Sequence, residues 1–236
     1  MSRTAVDLSA IWKQLDPRGP YREIREGLRR FEAGSSVIWD LMEVQASLQA
    51  LEQIANLDDK ARRIHGRGLM MHAVITYARA THSGGEARAK VDVIRAYSEA
   101  QKEQHRHIIA LRNSTFAHHG GGEGAFGEGW YVERTLLVFA QGERESLLHY
   151  RSGYLYSERV VDPLRELVDI AIPFVQAEVE RRSAELKEPF FAECEKRGEF
   201  LDLIRRHIVD IAAVFPTAPP LDQWDLAKGM ETWSFG

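Results

Sequence analysis

Six glycines crowd into the ten residues Gly120–Gly129, and that stretch divides the chain more sharply than any other feature. No regular element passes through such a run, because glycine loses more conformational freedom on ordering than any other residue. Upstream, the apolar residues follow a helical period. Ser35 and Ser36 offer an N-cap for a helix from Val37 to about Asn56, with Ile38, Leu41, Met42, Leu48, Leu51 and Ile54 inward and Gln45 as the polar exception. Leu57-Asp58-Asp59 ends it and caps a helix from Lys60 to about Ala80, where Ile64, Met70, Met71, Val74, Ile75 and Ala78 form the predicted buried stripe. After a loop at Ser83-Gly84-Gly85, residues Ala87 to Ala117 predict one long helix, or a short one followed by a long one. Val91, Ile94, Tyr97, Ala100, Ile108 and Leu111 face inward in that reading. Downstream of the glycines, Trp130–Ala140 and Ser146–Ser152 are aromatic and β-branched around Gln141-Gly142-Glu143, which predicts a β-hairpin.

The two ends read as helical elaborations. Residues 4–16 predict a short helix, stopped by Asp16-Pro17-Arg18-Gly19-Pro20, and Tyr21–Glu32 predicts another that ends near Gly34. Ser157 to about Lys187 is helical, with Pro163 in its first turns and a kink expected at Pro173. Glu188–Ala213 predicts a last helix with Pro189 near its start, and the tail from Pro216 reads as coil. The predicted fold class is all-α: a helical bundle with a hairpin inserted at about 130–152.

At 236 residues and 26.9 kDa, the length fits one domain over residues 1–236. The single cysteine, Cys194, excludes an intrachain disulfide framework and any zinc knot built on cysteines. The first residues lack the apolar core of a signal peptide, and no apolar run approaches the ~20 residues of a membrane span. A cytoplasmic protein is the expectation. The net charge of −4 argues against a general nucleic-acid coat protein, yet charge is unevenly spread. Lys60–Arg112 holds 11 Lys/Arg against 4 Asp/Glu, and seven of the nine histidines lie between His65 and His119. A solvated helical face and a basic cleft for a phosphate backbone both produce that pattern.

The long segment closes on Leu111-Arg112-Asn113-Ser114-Thr115-Phe116-Ala117-His118-His119. Here a permanent cation stands near groups that titrate close to neutrality, the pairing needed to hold a phosphate and move a proton. Five residues separate Arg112 from His118 and six separate it from His119. The stretch resembles the Arg–(four to six residues)–His signature of HEPN domains, in the Arg-Asn…Ala-His form common in abortive-infection and toxin-like members. On an unbroken helix His119 would lie about 20° around from Arg112 and His118 about 120°. In the family the helix ends near the histidine and the one after the alanine is functional, so the resemblance puts His118 first and His119 second. It implies that Arg112 holds the scissile phosphate, that His118 transfers protons at the ribose oxygens, and that Asn113 orients the pair. The tyrosine that some members carry two residues after the histidine is replaced here by Gly120 or Gly121. The HEPN-like core would span about 37–187, with an N-terminal helical extension over 1–34 and a C-terminal helix and coil over 188–236.

Tyr77-Ala78-Arg79 with Arg88 is similar to a Tyr-Arg, loop, Arg pattern ahead of the signature helix in such proteins, so Arg79, Arg88 and Arg106 are candidate substrate-binding residues. Gly122-Glu123-Gly124-Ala125-Phe126-Gly127 has the spacing of a dinucleotide fingerprint but follows a helix and leads into a strand, the reverse of what that motif requires. His105 and His107 project about 200° apart on a helix and cannot chelate one ion together. No metal and no cofactor are expected. The resemblance implies a metal-independent ribonuclease of toxin or phage-defence type, acting on RNA as a homodimer whose two signature helices meet. An antitoxin or defence-system protein is the expected partner. The alternative from another class is a catalytically silent HEPN-like dimer that binds protein or RNA.

Overall fold

The computed structural model describes residues 4–54, 58–82, 89–113, 131–138, 146–153, 158–196 and 198–210. Strand β1 (Thr4–Val6) and helix α1 (Leu8–Gln14) precede the long helix α2 (Arg22–Gln53). Helix α3 (Asp59–His82), a 3-10 turn (Val93–Ala96) and helix α4 (Glu99–Leu111) follow. Strands β2 (Tyr131–Val138) and β3 (Ser146–Gly153) form the hairpin, and α5 (Glu158–Glu195), α6 (Glu199–Arg206) and β4 (Ile208–Asp210) complete the order. The chain is mostly helical and divides into two compact units, residues 33–176 and residues 1–32 with 177–236.

In the unit of residues 33–176, two bonds set the register of α2 against α3. Arg79 Nη2 donates to Asp40 Oδ1 at 2.7 Å, and Ser47 Oγ lies 2.9 Å from His72 Nδ1. Seven residues forward on α2 correspond to seven backward on α3, so the helices run antiparallel. Helix α5 joins through Arg165 Nη2 to Glu52 Oε1 at 2.7 Å and through Gln101 Nε2 on α4 to Glu166 Oε1 at 2.8 Å. Val37, Leu41, Val44 and Leu48 on α2 are buried, as are Ala73, Val74 and Tyr77 on α3, Ile108 and Leu111 on α4, and Val160, Leu164, Leu167 and Val168 on α5. Of these, Leu41, Leu48, Val74, Ile108 and Leu111 are residues that the helical period places inward. Helix α4 does not continue from the preceding segment. Ser98 opens it with a reciprocal capping box, its hydroxyl accepting from Gln101 N while Gln101 Oε1 accepts from Ser98 N.

The hairpin pairs antiparallel, with Leu136 opposite Leu148 and Leu137 opposite Leu147, so successive leucine pairs fall on opposite faces of the ribbon. All four side chains are exposed.

In the unit of residues 1–32 and 177–236, a second core gathers Ile11, Leu15, Leu28, Phe190, Phe200 and Ile204. The Phe190 and Phe200 rings meet edge to face, 5.4 Å between centroids. At Gly27 a Cβ would stand 2.9 Å from Leu186 Cδ1, so the missing side chain lets these helices approach. The buried guanidinium of Arg182 donates to Glu178 Oε1 and to the Arg30 carbonyl, both at 2.7 Å. β1 pairs with β4, Thr4 opposite Asp210.

Four expectations are corrected. Residues 4–16 hold a strand and a one-to-two-turn helix, because Asp7 caps α1 by accepting from Ala10 N and leaves Thr4–Val6 to β4. The helix does not end near Gly34 but runs through it: Gly34 is buried, and glycine's cost of about 1 kcal/mol in a helix is outweighed by the apolar face from Ala33 to Leu41. Pro189 does not start a new helix: α5 continues past it to Glu195, and α6 starts at Glu199. Met42, Ile64, Ile75 and Ala100, read as inward, are exposed.

Candidate functional site

Helix α4 leads into the stretch 112–119, of which Arg112 and Asn113 are among the described residues. Its last buried residue, Leu111, anchors the final turn, and Arg112 follows as the C-cap, its backbone N–H reaching the Ile108 and Ile109 carbonyls. Both Arg112 and Asn113 are exposed, and Arg112 Nη1 donates to Asn113 Oδ1 at 3.0 Å. Among the described residues no carboxylate pairs with Arg112. A neutral amide, unlike a carboxylate, does not offset the guanidinium's charge. His118, His119 and Arg88 lie outside the described residues.

The other arginines differ. Arg79 grips Asp40 with two bonds, Nε to Oδ2 at 3.2 Å and Nη2 to Oδ1 at 2.7 Å, and this carboxylate raises its pKa. Asp40 is buried, so Arg79's first task is to satisfy a carboxylate withdrawn from water. Arg106 pairs with Glu103 on its own helix, Nε to Oε2 at 2.9 Å, and holds that carboxyl below its usual range. Lys102 pairs with Glu99, and Lys90 and Arg95 both approach Asp92. Much of the local excess of basic residues therefore already faces a carboxylate, whereas among the described residues Arg112 pairs with none.

His105 and His107 diverge. His107 Nε2 lies 3.1 Å from Glu103 Oε1 on the outer side of α4. His105 is buried and belongs to a directed chain. Tyr97 OH donates to the Leu167 carbonyl at 3.1 Å, Tyr77 OH donates to Tyr97 OH at 3.1 Å, and Tyr77 OH lies 3.0 Å from His105 Nδ1. A carbonyl only accepts and a hydroxyl has one proton, so each hydroxyl's proton is committed before His105 is reached. The remaining bond closes only if His105 Nδ1–H donates to Tyr77, which fixes the neutral tautomer with the proton on Nδ1. Burial, with positive charge at His82 and Arg106, lowers the His105 pKa to about 4. Burial pushes the Tyr97 hydroxyl up to about 12 and that of Tyr77 higher still.

This chain ties α3, α4, α5 and the turn before α4 into one polar core, and it holds the helix that presents Arg112. Tyr97→Phe removes its terminal donor. The expected result is a loss of about 1 kcal/mol in urea unfolding, the net worth of a buried hydrogen bond, with helical content unchanged by circular dichroism.

Sequence reasoning missed Asp40, which decides what Arg79 does. Its only signal was an acidic residue amid the apolar face of α2. Among the described residues no group of three or more His, Cys, Asp or Glu is placed to hold a metal ion, and no helix is long and apolar enough to cross a membrane. Comparison with protein-family models, with curated proteins and with solved structures finds no match to this chain.

Proposed function

We propose that the protein is a metal-independent endoribonuclease of toxin or phage-defence type, working as a two-fold dimer through Arg112 and His118. One observation carries the reading: at the end of α4, Arg112 stands exposed on an amide, and among the described residues no carboxylate pairs with it. An arginine in that setting is suited to an anionic ligand, whose oxygens its planar fork matches in pairs. Asn113 keeps the fork in place. His118, five residues beyond, supplies the titrating group. The ribose 2′-oxygen attacks the adjacent phosphorus as its proton leaves, and the P–O5′ bond breaks as the 5′-oxygen takes a proton. The products are a 2′,3′-cyclic phosphate and a 5′-hydroxyl. Arg112 stabilises the charge that grows on the phosphate oxygens.

Purified protein incubated with single-stranded RNA and tRNA in excess EDTA tests this. RNA cut to 2′,3′-cyclic ends, with DNA spared, is the expected result. Cleavage that stops in EDTA would sink the mechanism. If no RNA is cut, the reading becomes that of a catalytically silent protein- or RNA-binding module.

A further inference from the structure

On the described helices, the large apolar side chains that are more than a third exposed all belong to α2 and α3. Trp39 and Met42 on α2 are 58% and 37% exposed, Ile64 and Ile75 on α3 63% and 39%. They form two lines. On α2 the exposed positions Trp39, Met42 and Ala46 recur at helical spacing, and on α3 Ile64, Gly68, His72 and Ile75 do the same. The Asp40–Arg79 and Ser47–His72 bonds set the lines side by side. Between them the surface is open: a Cβ at Gly68 would meet nothing within 4 Å. A solvated helix face normally presents charges, as α4 does with Glu99, Glu103 and Arg106.

We propose that this face is a docking groove for an amphipathic, cationic helix of another protein. The spacing gives the occupant its form. Apolar and small positions recur every three or four residues along two antiparallel helices, which is the surface that such a pair offers to a third helix. Ala46 and Gly68 carry the least side chain and let its backbone come close. The acids give its charge. Asp40 and Glu43 both act on the single guanidinium of Arg79, so that group of three keeps one negative charge in excess. A lysine or arginine flanking the partner's apolar stripe answers it. Area agrees. The four apolar side chains leave on the order of 400 Å² in water, about half of the roughly 800 Å² that each partner buries in a standard interface. Tryptophan and methionine are also enriched in such contacts.

RNA is the poorer occupant, since its phosphates would meet the same excess of negative charge. The inference goes beyond the ribonuclease reading and stands without it, because peptide binding is measured on the protein alone. It makes no use of the end of α4.

The probe is a fluorescein-labelled synthetic peptide of about five helical turns, with leucine on one face and lysine on the other. It is titrated against the full chain and followed by anisotropy. One control peptide carries glutamate for lysine, and another has the same composition scrambled so that no apolar stripe forms. Saturable binding in the micromolar range is expected, at least about tenfold weaker for either control. Trp39→Ala should weaken it roughly 30-fold, the effect of losing a central side chain. Gly68→Arg should cost about tenfold or more by filling the groove, and it spares the fold, since the site is open and arginine is the better helix former. Glu43→Gln should cost about fivefold, whereas Glu103→Gln on α4 should leave affinity unchanged. Circular dichroism checks that each variant is folded. No binding to the wild type, equal affinity for either control peptide, or wild-type affinity in folded Trp39→Ala and Gly68→Arg overturns the proposal. So does a face that instead holds RNA or a second copy of the chain, seen as RNA binding or self-association that Trp39→Ala abolishes.

Discussion

Arg112→Ala and His118→Ala should each lower the rate of RNA cleavage by about 10²–10⁴, while the protein keeps its fold and its oligomeric state. The magnitude follows from the two roles. Losing a positioned proton-transfer group typically costs that much, and so does losing a preorganised donor aimed at growing negative charge. The fold is spared at Arg112 because its side chain is exposed and bonds only its neighbour's amide among the described residues, while its backbone completes the cap of α4. Arg112→Lys retains charge but not the planar fork, so it should recover only part of the lost rate. His119→Ala should cost much less than His118→Ala. Single-turnover rates with saturating RNA separate these outcomes from changes in binding. If His119→Ala is the inactive variant, the histidine register is wrong.

Legibility in the sequence depended on how local the deciding interaction was. The long apolar period marked α3 and the part of α2 beyond Val37 within a few residues, and the alternating stretches around Gln141-Gly142 marked the hairpin. Gly34 and Pro189 misled because each was read as punctuation. In α2 and α5 a local penalty of a few kcal/mol at most competes with a helix face that buries an apolar residue at nearly every turn. β1 and β4 were invisible for another reason: three residues each, about 200 positions apart, carry no period to detect. Met42 and Ile75 satisfied the apolar rhythm yet face outward, because a stripe wide enough to include them exceeds what the neighbouring helices cover. At the candidate site, Arg112 and Asn113 were readable from the motif, though their exposure at the end of α4 was not. The Asp40 that occupies Arg79 was not, since 39 residues separate the two in sequence. His105 was weighed as a ligand for its neighbours in sequence, whereas its role is set by Tyr77, 28 residues away.

That role predicts a pH dependence with a definite sign. His105 is lowered from an ordinary 6.5 to about 4 in the folded protein, first by burial and then by positive charge at His82 and Arg106. Between those values the unfolded chain binds a proton at this residue and the folded chain does not. Stability therefore falls as pH drops from 6.5 towards 4, by up to about 1.4 kcal/mol per unit and roughly 3 kcal/mol across the window. Above about pH 7.5 the residue contributes almost no slope. Neither tyrosine interferes, since both hydroxyls are pushed up and stay protonated throughout. Because Nδ1–H is already committed to Tyr77, the acid-induced proton must enter at Nε2, placing a full charge on a buried ring. His105→Asn sets an amide donor near the position of Nδ1 without a titrating group. In urea unfolding at pH 7, 5.5 and 4.5, the wild type should lose about 2.4 kcal/mol more than this variant between the first and last conditions. Carboxylates elsewhere titrate in both proteins and cancel in the difference. Parallel losses in the two proteins would show that His105 is not the group that acid attacks.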